Sequence, residues 1–343
     1  MLNHVINGKV SVKKVIMVII MNSNKMRAVV YTKYGSPDVL DLKNVQKPTP
    51  KDNEVLIRVH ATSVTAADCL MRRGDTFISR VFLGFIKPRR RILGTEIAGE
   101  IEKTGKEVNR FKEGDQIYGF TGFGLGAYAE YNCMPENGSL VLKPTNMDYN
   151  EAVAVVDGAS TALFFLKDKA NIQNGQKVLI IGASGSIGTF AIQIAKYFGA
   201  EVTGVCSTVN LDLVKSLGAD KVIDYRKDDF TKNDEKYDII LDTAGKSSFS
   251  QSKPCLNKKG KYLLTNGGLL DRFLMLWTGI SGGKKLITGM SIEKTESLIF
   301  IKKLIEEERI KLVTDKVYKL ENIAKAHDYV EKGHKRGNVI ITI

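Results

Sequence analysis

One glycine-containing stretch constrains the fold of this chain more than any other. Residues 178–208 read VLIIGASGSIGTFAIQIAKYFGAEVTGVCST: an apolar strand, a tight turn, an apolar-striped helix that ends in glycine, and a second strand. Ala183, Gly185 and Gly188 occupy the three positions of a G-x-G-x-x-G pattern, with alanine in the first, and Gly182 precedes them. A strand, this turn and a helix in succession are typical of the first βαβ unit of a dinucleotide-binding sheet.

The residues of the turn indicate how it binds a ligand. Gly185 lets the backbone approach a pyrophosphate, and Gly188 lets the helix pack closely on the strand. The helix N-terminus offers N–H groups and a partial positive charge to the phosphates. We therefore expect a dinucleotide cofactor to contact the turn and the end of the later strand GKYLL, at Ala183, Ser184, Gly185, Ser186, Ile187, Gly188, Asn266 and Gly267.

The end of the second strand lacks the acid that usually accompanies this pattern. An acidic side chain about 20 residues after the first glycine normally holds the ribose 2′-hydroxyl of NAD, but the chain has Cys206, Ser207 and Thr208 there. A carboxylate would repel a 2′-phosphate, whereas hydroxyl and amide groups can donate hydrogen bonds to it. The sequence therefore predicts NADPH, with donors at Ser207, Thr208, Asn210 and Tyr225. Capping of the helix NLDLVKSLG is an alternative role for Ser207 and Asn210, and the two roles are compatible.

The hydrophobic pattern changes once along the chain, near residue 148. Residues 26–147 hold short strands separated by Gly and Pro, typical of a partly solvated antiparallel sheet. Residues 148–290 alternate strands with helices, which is the signature of a parallel doubly wound sheet. Because 343 residues exceed the size of one hydrophobic core, we expect an α/β protein: a β-rich catalytic domain, a Rossmann domain at 148–290, and a return to the first domain at 291–343.

The N-terminus, the charge and the cysteines limit where such a chain can work. The formal net charge is +13, and four of these charges are lysines within residues 1–25, which contain no acid. KKVIMVIIM, residues 13–21, is too short to span a bilayer and lacks a following cleavage site. We expect residues 1–25 to be a disordered or misassigned extension, with the domain starting near Met26.

Four scattered cysteines without metal-ligand spacing favour reduced thiols and a cytoplasmic location.

Two competing motifs fail on spacing. Gly245, Lys246 and Ser247 follow a strand as the end of a Walker A loop would, but the earlier glycine that the loop requires falls at Ile240, inside the strand. None of the twelve tyrosines has a lysine four residues later, so the Tyr/Lys arrangement of short-chain reductases is absent. Neither a P-loop NTPase nor a short-chain reductase is therefore expected.

The order of five segments carries a family resemblance. They are LGTEIAGEIEKTG at 93–105, FKEGDQIYG at 111–119, GASGSIG at 182–188, LGADKVIDY at 217–225 and KRGNVIITI at 335–343. From Met26 to Ile343 the chain resembles the medium-chain dehydrogenase/reductase superfamily, in its zinc-free quinone oxidoreductase branch, which includes zeta-crystallin. The resemblance implies a GroES-like first domain and NADPH-dependent reduction of quinones or α,β-unsaturated carbonyls.

The same comparison bears on zinc. Zinc-dependent members carry a cysteine in a G-I-C-x-x-D segment and a histidine in a G-H-E segment, and the matching segments here read SVTAAD and GTE. Thr65 therefore stands at the cysteine position and Thr95 at the histidine position, and residues 97–132 contain no cysteine. We expect no metal. Without a Lewis acid, hydride transfer to an enone or a quinone is easier than to a simple carbonyl, because the developing charge is delocalised.

The resemblance also implies a substrate pocket and an assembly. Thr65, Thr95 and Thr161 are expected to line the nicotinamide and substrate pocket. Related quinone reductases often have a tyrosine shortly after the aspartate of SVTAAD, where this chain has Leu70, so the catalytic acid stays unassigned and solvent is one source of the proton. A homodimer is implied, with KKLITGMSI at 284–292 as the edge strand that pairs.

Two alternatives and one surface hypothesis stay open. Zinc-free NADP(H)-dependent reduction of aldehydes or ketones is one alternative function, and a low-turnover NADPH- or RNA-binding protein is the other, although we expect no nucleic-acid partner. Residues 72–91 hold seven Lys or Arg interleaved with apolar residues. They are either solvated scaffold or a rim for peripheral membrane contact.

Overall fold

The first strand begins one residue after the start of the described chain. The computed structural model describes residues 24–75, 80–81, 83–280 and 282–343. Strand β1 (Lys25–Val30) pairs antiparallel with β2 (Asp41–Gln46) in a two-stranded sheet. The first strand thus starts one residue before the expected domain start at Met26. The expectation of an N-terminal extension falls, up to residue 23, outside the described residues.

A seven-stranded sheet forms the first unit. Its strands are β3 (Glu54–Ser63), β4 (Glu96–Thr104), β5 (Gln116–Phe120), β6 (Tyr131–Pro135), β7 (Ser139–Leu142), β14 (Thr314–Lys319) and β15 (Asn338–Thr342). The order is β14–β15–β3–β4–β5–β7, and β6 pairs with β3. All pairs are antiparallel except β14 with β15. The C-terminal strands therefore complete the sheet that the N-terminal half begins.

Six parallel strands form the second sheet. They are β8 (Lys177–Ile181), β9 (Glu201–Cys206), β10 (Lys221–Asp224), β11 (Tyr237–Asp242), β12 (Leu256–Leu264) and β13 (Lys285–Thr288). The order is β10–β9–β8–β11–β12–β13, so the winding reverses between β8 and β11. Ligands of such sheets bind at the carboxyl ends of the strands beside this reversal. The predicted Rossmann sheet, and with it the predicted α/β fold, is confirmed.

Helices connect and cover the two sheets. They are α1 (Ala66–Arg73), α2 (Tyr149–Ala154), α3 (Val156–Leu163), α4 (Ser186–Tyr197), α5 (Leu211–Ser216), α6 (Phe249–Ser252), α7 (Leu269–Ile280), α8 (Thr295–Glu306) and α9 (Ile323–Glu331). A π-helical turn, Phe164–Lys169, extends α3. Beyond α4 and α5, Gly199 and Gly218 have φ of 76° and 102°, the left-handed conformation in which helices end at glycine.

The two units meet at the glycine turn. The Gly337 N–H, just before β15, donates to the Ser184 carbonyl at 2.9 Å, and Gly185 and Gly337 form an isolated parallel bridge. The Tyr118 hydroxyl of β5 donates to the Leu298 carbonyl of α8 at 2.7 Å. The C-terminal segment thus fixes the turn against the first unit. The predicted domain boundaries at 148 and 290 stay predictions.

The outer edge of β13 is covered by α7. The Leu286 N–H donates to Thr278 Oγ1 at 3.1 Å, and the Thr288 N–H lies 3.4 Å from Met275 Sδ. Both N–H groups would be needed for pairing with another strand. These two contacts therefore oppose the expected edge-to-edge pairing of 284–292 with a second copy. The homodimer stays a prediction.

The basic segment 72–91 divides between core and surface. Arg72 is fully buried and pairs with Glu331 Oε1 at 2.5 Å, which corrects its expected place on a solvated basic face. Leu83 is buried, whereas Ile86 is 93% exposed; residues 76–79 and 82 lie outside the described residues, so the rim hypothesis stays a prediction. In the described ranges, no helix has the length and apolarity needed to cross a membrane.

Candidate functional site

The turn after β8 is shaped by three glycines, each in a different way. Gly182 has φ of 81°. A Cβ at Gly188 would lie 2.2 Å from the Gly182 carbonyl oxygen, so only glycine lets α4 pack this closely on β8. At Gly185 a Cβ would meet only that same oxygen, at 3.4 Å, and the space above it is free for a ligand. Both predicted roles, close packing at Gly188 and ligand approach at Gly185, fit this geometry.

The turn is held in place by neighbours on both sides. Ala183 is buried, and Gly185 is the N-cap of α4. Ser184 Oγ accepts a hydrogen bond from Asn210 Nδ2 at 3.0 Å, and the Ser186 hydroxyl donates to Asn338 Oδ1. The first N–H groups of the twelve-residue α4 point out of the turn with the positive end of the helix dipole. The turn therefore fits the pyrophosphate of a dinucleotide.

The predicted donors after β9 gather into one cluster. Asn210 Nδ2 also donates to Ser207 Oγ, at 3.2 Å, so the amide joins the glycine turn to the end of β9. The Asn210 Oδ1 acceptor is buried and has no hydrogen-bond partner among the described residues. A ribose hydroxyl is a donor that a bound nucleotide would bring to this atom. Tyr225 follows β10 and is more than half exposed, beside the same edge.

An acidic side chain does lie at this edge, at the end of β10 rather than at the end of β9. Asp224 ends β10, and its Oδ2 accepts from the Thr208 hydroxyl at 2.5 Å. The hydrogen bond from Thr208 lowers the pKa of Asp224, as do the charges of Lys227 and Arg226. The Thr208 hydroxyl thus binds Asp224 in this structure, and its role as a donor to a phosphate stays a prediction. Arg226, beside the predicted ribose site, is a cation that sequence reasoning missed.

At the other end of the edge, glycines bring two loops together. A Cβ at Gly267 would lie 2.3 Å from Thr288 Oγ1, and a Cβ at Gly245 would lie 2.6 Å from Asn266 Nδ2. Asn266 itself is exposed. The structure therefore places the predicted residues Asn266 and Gly267 at the carboxyl end of β12, beside the loop after β11.

The loop that imitates a Walker A motif is folded around a buried carboxylate. Asp242 accepts from the Gly245 N–H at 2.7 Å, from the Ser247 N–H at 3.0 Å and from the Tyr262 hydroxyl at 2.9 Å. These N–H groups are already occupied by a negative charge. The loop is therefore unsuited to cradle a phosphate, in agreement with the rejection of that motif on spacing.

The three predicted pocket threonines lie on different elements of the first unit and its junction. Thr65 is the N-cap of α1, where its hydroxyl bonds Asp68 Oδ2 at 2.6 Å. Thr95 precedes β4 and is buried. Thr161 is on α3, with its hydroxyl 3.3 Å from Asp157 Oδ1. What connects these elements is Glu96, whose carboxylate accepts from the Ser63 hydroxyl and the Asp157 N–H.

Next to Thr161 lies a charge cluster formed by Glu96 and Lys294, which are buried, and by Asp157, whose side chain is 32% exposed. Lys294 Nζ is fully buried and lies 2.5 Å from Asp157 Oδ1 and 3.4 Å from Thr161 Oγ1. It also lies 4.6 Å from the centroid of the Phe120 ring. Burial acts to raise the pKa of Asp157, but the Lys294 ammonium outweighs it and the pKa is lowered. Burial and the charge of Asp157 raise the pKa of Glu96 well above its usual value.

Three further titratable groups are buried behind Thr65. Burial raises the pKa of Asp68 to about 6, partly opposed by its hydrogen bonds with Thr65. Cys69 Sγ lies 3.4 Å from His327 Nδ1. Burial raises the pKa of the Cys69 thiol to about 12 and lowers that of His327 to about 3. Thiol and imidazole are both neutral near pH 7, so the pair is unsuited to nucleophilic chemistry.

The donor set does not fit zinc. The side chains at the two expected ligand positions are the hydroxyls of Thr65 and Thr95, and that of Thr65 is engaged with Asp68. Within the described ranges, no group of three or more His, Cys, Asp or Glu is arranged to hold a metal ion. Zinc prefers sulfur, imidazole and carboxylate ligands in tetrahedral sets. Independence from zinc stays a prediction.

Fold and edge site together define a two-domain dehydrogenase or reductase that uses a nicotinamide cofactor. Residues 51–145 match the family described as alcohol dehydrogenase GroES-like domain, and residues 217–341 match the family described as zinc-binding dehydrogenase. The chain belongs to the medium-chain dehydrogenase/reductase superfamily, in its quinone oxidoreductase branch. The family resemblance seen in the sequence is thereby confirmed.

Two curated relatives and one solved structure illustrate the similarity. A chloroplastic quinone-oxidoreductase homolog of Spinacia oleracea is 32% identical over 94% of this chain and 99% of its own length. A chloroplastic NADPH-dependent alkenal/one oxidoreductase of Arabidopsis thaliana is 30% identical over 92% of this chain and 79% of its own. The structure of the quinone oxidoreductase from Coxiella burnetii superposes with a TM-score of 0.85, at 27% identity, over 93% of this chain and 99% of that one.

Proposed function

We propose that this protein reduces quinones or α,β-unsaturated carbonyl compounds with NADPH and without zinc. The proposal rests on two features that this fold brings together. A glycine turn is braced by Asn210 at the carboxyl edge of a Rossmann sheet, and a substrate side is lined by hydroxyls where zinc-dependent relatives have metal ligands. The names of the relatives from Spinacia oleracea and Arabidopsis thaliana support the two substrate classes.

The cofactor side would hold NADPH along the carboxyl edge of the second sheet. The N-terminus of α4 would bind the pyrophosphate, and Ser207 and Asn210 would contact the adenosine ribose. Arg226 and the exposed Tyr225 would lie at the 2′-phosphate, where the arginine offsets the charge of Asp224. When bound, NADPH supplies a hydride. The protein's contribution is to orient it.

The substrate side would supply hydrogen bonds. The Thr65 and Thr161 hydroxyls are expected to contact the substrate oxygen or the nicotinamide amide. Asp68 accepts a hydrogen bond from Thr65 Oγ1 and so orients this hydroxyl. Burial raises the pKa of Asp68 to about 6, so near pH 7 the carboxyl is mostly ionised and acts as an acceptor. The proton that completes the reduction would come from bulk solvent.

A turnover screen tests the proposed function. We expect NADPH oxidation with short-chain quinones and enones at kcat/KM at least tenfold above that for simple aldehydes and ketones, and no loss after prolonged chelation. Elemental analysis should find less than about a tenth of a zinc per chain if the ligand argument holds. Preference for saturated carbonyls would favour the aldehyde or ketone reductase, and tight NADPH binding without turnover would favour the binding protein. Stoichiometric zinc would overturn metal independence.

A homodimer and a cytoplasmic location also remain proposals, supported by the family resemblance and by the cysteine pattern respectively. Sedimentation velocity at micromolar concentration tests the first, with the dimer expected. The contacts of α7 with β13 favour a surface other than this edge for the dimer.

A further inference from the structure

Helix α7 presents its apolar side to the outside of the molecule. Its sequence is LLDRFLMLWTGI, and its exposed residues include Leu270 at 83%, Trp277 at 75% and Ile280 at 88%. Leu269, Phe273 and Leu276 are each more than 60% exposed as well. The side that faces the protein carries Met275 and Thr278, the residues that contact the edge of β13. The usual orientation of an amphipathic helix is therefore reversed.

The fold does not require this apolar surface. Six large apolar side chains within twelve residues form one stripe, because they recur at helical spacings of three, four and seven. A contiguous exposed stripe of this kind marks an interaction site in a folded protein. The stripe has a tryptophan and a phenylalanine among leucines and an isoleucine, and α7 contains only two charged residues, Asp271 and Arg272.

The surroundings of α7 favour an anionic partner. Lys284 lies beyond the C-terminal end of α7, and Lys285 begins β13. The Lys284 ammonium binds the Lys253 carbonyl, and Lys285 lies opposite Lys261 on β12. Lys258 and Lys259 precede Lys261 on the same strand and are exposed. In the part of the chain that the structure describes, no carboxylate lies within ion-pair distance of Lys253, Lys258, Lys259, Lys284 or Lys285, since the ion pairs found involve other residues. The Lys261 ammonium is bound to the Ala170 carbonyl and is not counted with them.

The same region disfavours a second copy of the chain as the partner. Rossmann sheets associate readily through a free edge strand, but the outward N–H groups of Leu286 and Thr288 are occupied by α7 itself. A second copy would also bring its own lysines against these lysines, and like charges at close range repel. An anionic surface without directional hydrogen bonds has neither difficulty.

We propose that α7 lies on the surface of a membrane that contains anionic lipids, with its apolar stripe in the headgroup boundary and the lysines at its end on the headgroups. Twelve residues give a helix about 18 Å long, which is too short to cross the roughly 30 Å hydrocarbon core. Helices with aromatic and leucine residues on one face and nearby basic charge bind membranes in this way. This surface is distinct from the segment 72–91.

One consequence rests on the proposed function. α7 begins two residues after Gly267, at the carboxyl edge where the cofactor would lie. Docking through α7 would therefore hold this edge near the membrane, where a lipophilic quinone dissolved in the lipid can reach it. Membrane binding itself does not depend on turnover and is tested without substrate.

Trp277 makes the proposal measurable, because it is the only tryptophan of the chain. We expect its emission to shift to shorter wavelength, and to be quenched by lipids brominated in the acyl chain, when vesicles of phosphatidylcholine and phosphatidylglycerol are added to the full chain. Vesicles of phosphatidylcholine alone should produce a smaller shift. No shift and no quenching with the anionic vesicles would overturn the proposal.

A pair of variants separates α7 from other surfaces. Phe273→Gln with Ile280→Gln retains Trp277 and should weaken flotation with anionic vesicles by about tenfold or more, since two apolar side chains leave the interface. The matched control replaces Ile299 and Val317, both 53% exposed on other elements, with glutamine and should float as the unmodified protein does. Reduction of a short-chain soluble quinone should be the same in all three, which distinguishes failure of docking from failure of the proposed function.

Two outcomes would contradict the proposal. Flotation that persists unchanged in the α7 variant would assign membrane contact elsewhere, with the segment 72–91 as the first candidate. A dimer in sedimentation velocity that the α7 variant converts to a monomer, without any vesicle binding by the unmodified protein, would assign the stripe to a second copy of the chain.

Discussion

The two sides of the candidate site are built from different materials. The cofactor side consists of backbone groups, glycines, hydroxyls and one amide, and its core comes from residues 182–210. The proposed substrate side places threonine hydroxyls over a cluster of ionisable groups that are far apart in the chain: Glu96 and Lys294, which are buried, and Asp157, whose side chain is 32% exposed. The cofactor side depends on residues that are close together in the sequence. The substrate side forms only where distant elements pack together, so mutations there should change stability through charge and burial.

The largest effect on stability is expected at Lys294, the buried cation of the substrate side. Lys294→Met should leave Asp157 and Glu96 without their buried cation and lower the free energy of unfolding by about 3–5 kcal/mol. Denaturant unfolding measures it, with Lys303→Met on the exposed face of α8 as the control. Adding Asp157→Asn should recover part of the loss. A Lys294→Met protein as stable as the control would show that the cluster does not depend on its cation.

A smaller effect, confined to the cofactor side, is expected at Gly188. Gly188→Ala places a methyl group 2.2 Å from the Gly182 carbonyl oxygen and must move the turn. We expect the dissociation constant for NADPH to rise about a hundredfold, which corresponds to about 2.7 kcal/mol. The control is Gly124→Ala, where a Cβ has no neighbour within 4 Å among the described residues. Unchanged NADPH affinity in calorimetry would contradict the assignment of this turn.

The next effect is a pH dependence from His327, on the substrate side. Burial, followed by the charge of Arg72, lowers its pKa from 6.5 to about 3. Below pH 6.5 the unfolded chain therefore binds a proton that the folded chain refuses, so the stability present at neutral pH is lost as the pH falls from 6.5 toward 3. The expected slope is about 1.4 kcal/mol per pH unit.

Replacement of this histidine isolates its contribution. His327→Leu should reduce the fall in melting temperature between pH 7 and pH 5, relative to the unmodified protein. His334→Leu, where the histidine lies in the exposed turn before β15, is the control and should leave the fall unchanged. Identical profiles for His327→Leu and the unmodified protein would mean that the imidazole becomes charged in the folded state.

Sequence reasoning was most informative where neighbours in the chain are neighbours in space. The turn at Gly185 and Gly188, the ends of α4 and α5 at Gly199 and Gly218, and the rejection of the loop at Gly245 were all readable, because each depends on a few consecutive residues.

The missed features all depend on contacts across the sheet or between units. Asp224 reaches Thr208 only because β10 lies beside β9. The edge of β13 is closed by Thr278, which no strand pattern reveals. Lys294 meets Asp157 from 137 residues away, and nothing in its local sequence marks it as buried.

We expect the cofactor side to select NADPH over NADH, and comparing quinone reduction with the two cofactors measures this selection. We expect kcat/KM for quinone reduction to be at least tenfold higher with NADPH than with NADH, a preference that needs only about 1.4 kcal/mol. Ser207→Asp places a carboxylate beside Asn210 at the end of β9. This variant should have a smaller preference for NADPH, or should prefer NADH. Equal efficiency with both cofactors in the unmodified protein would contradict the account.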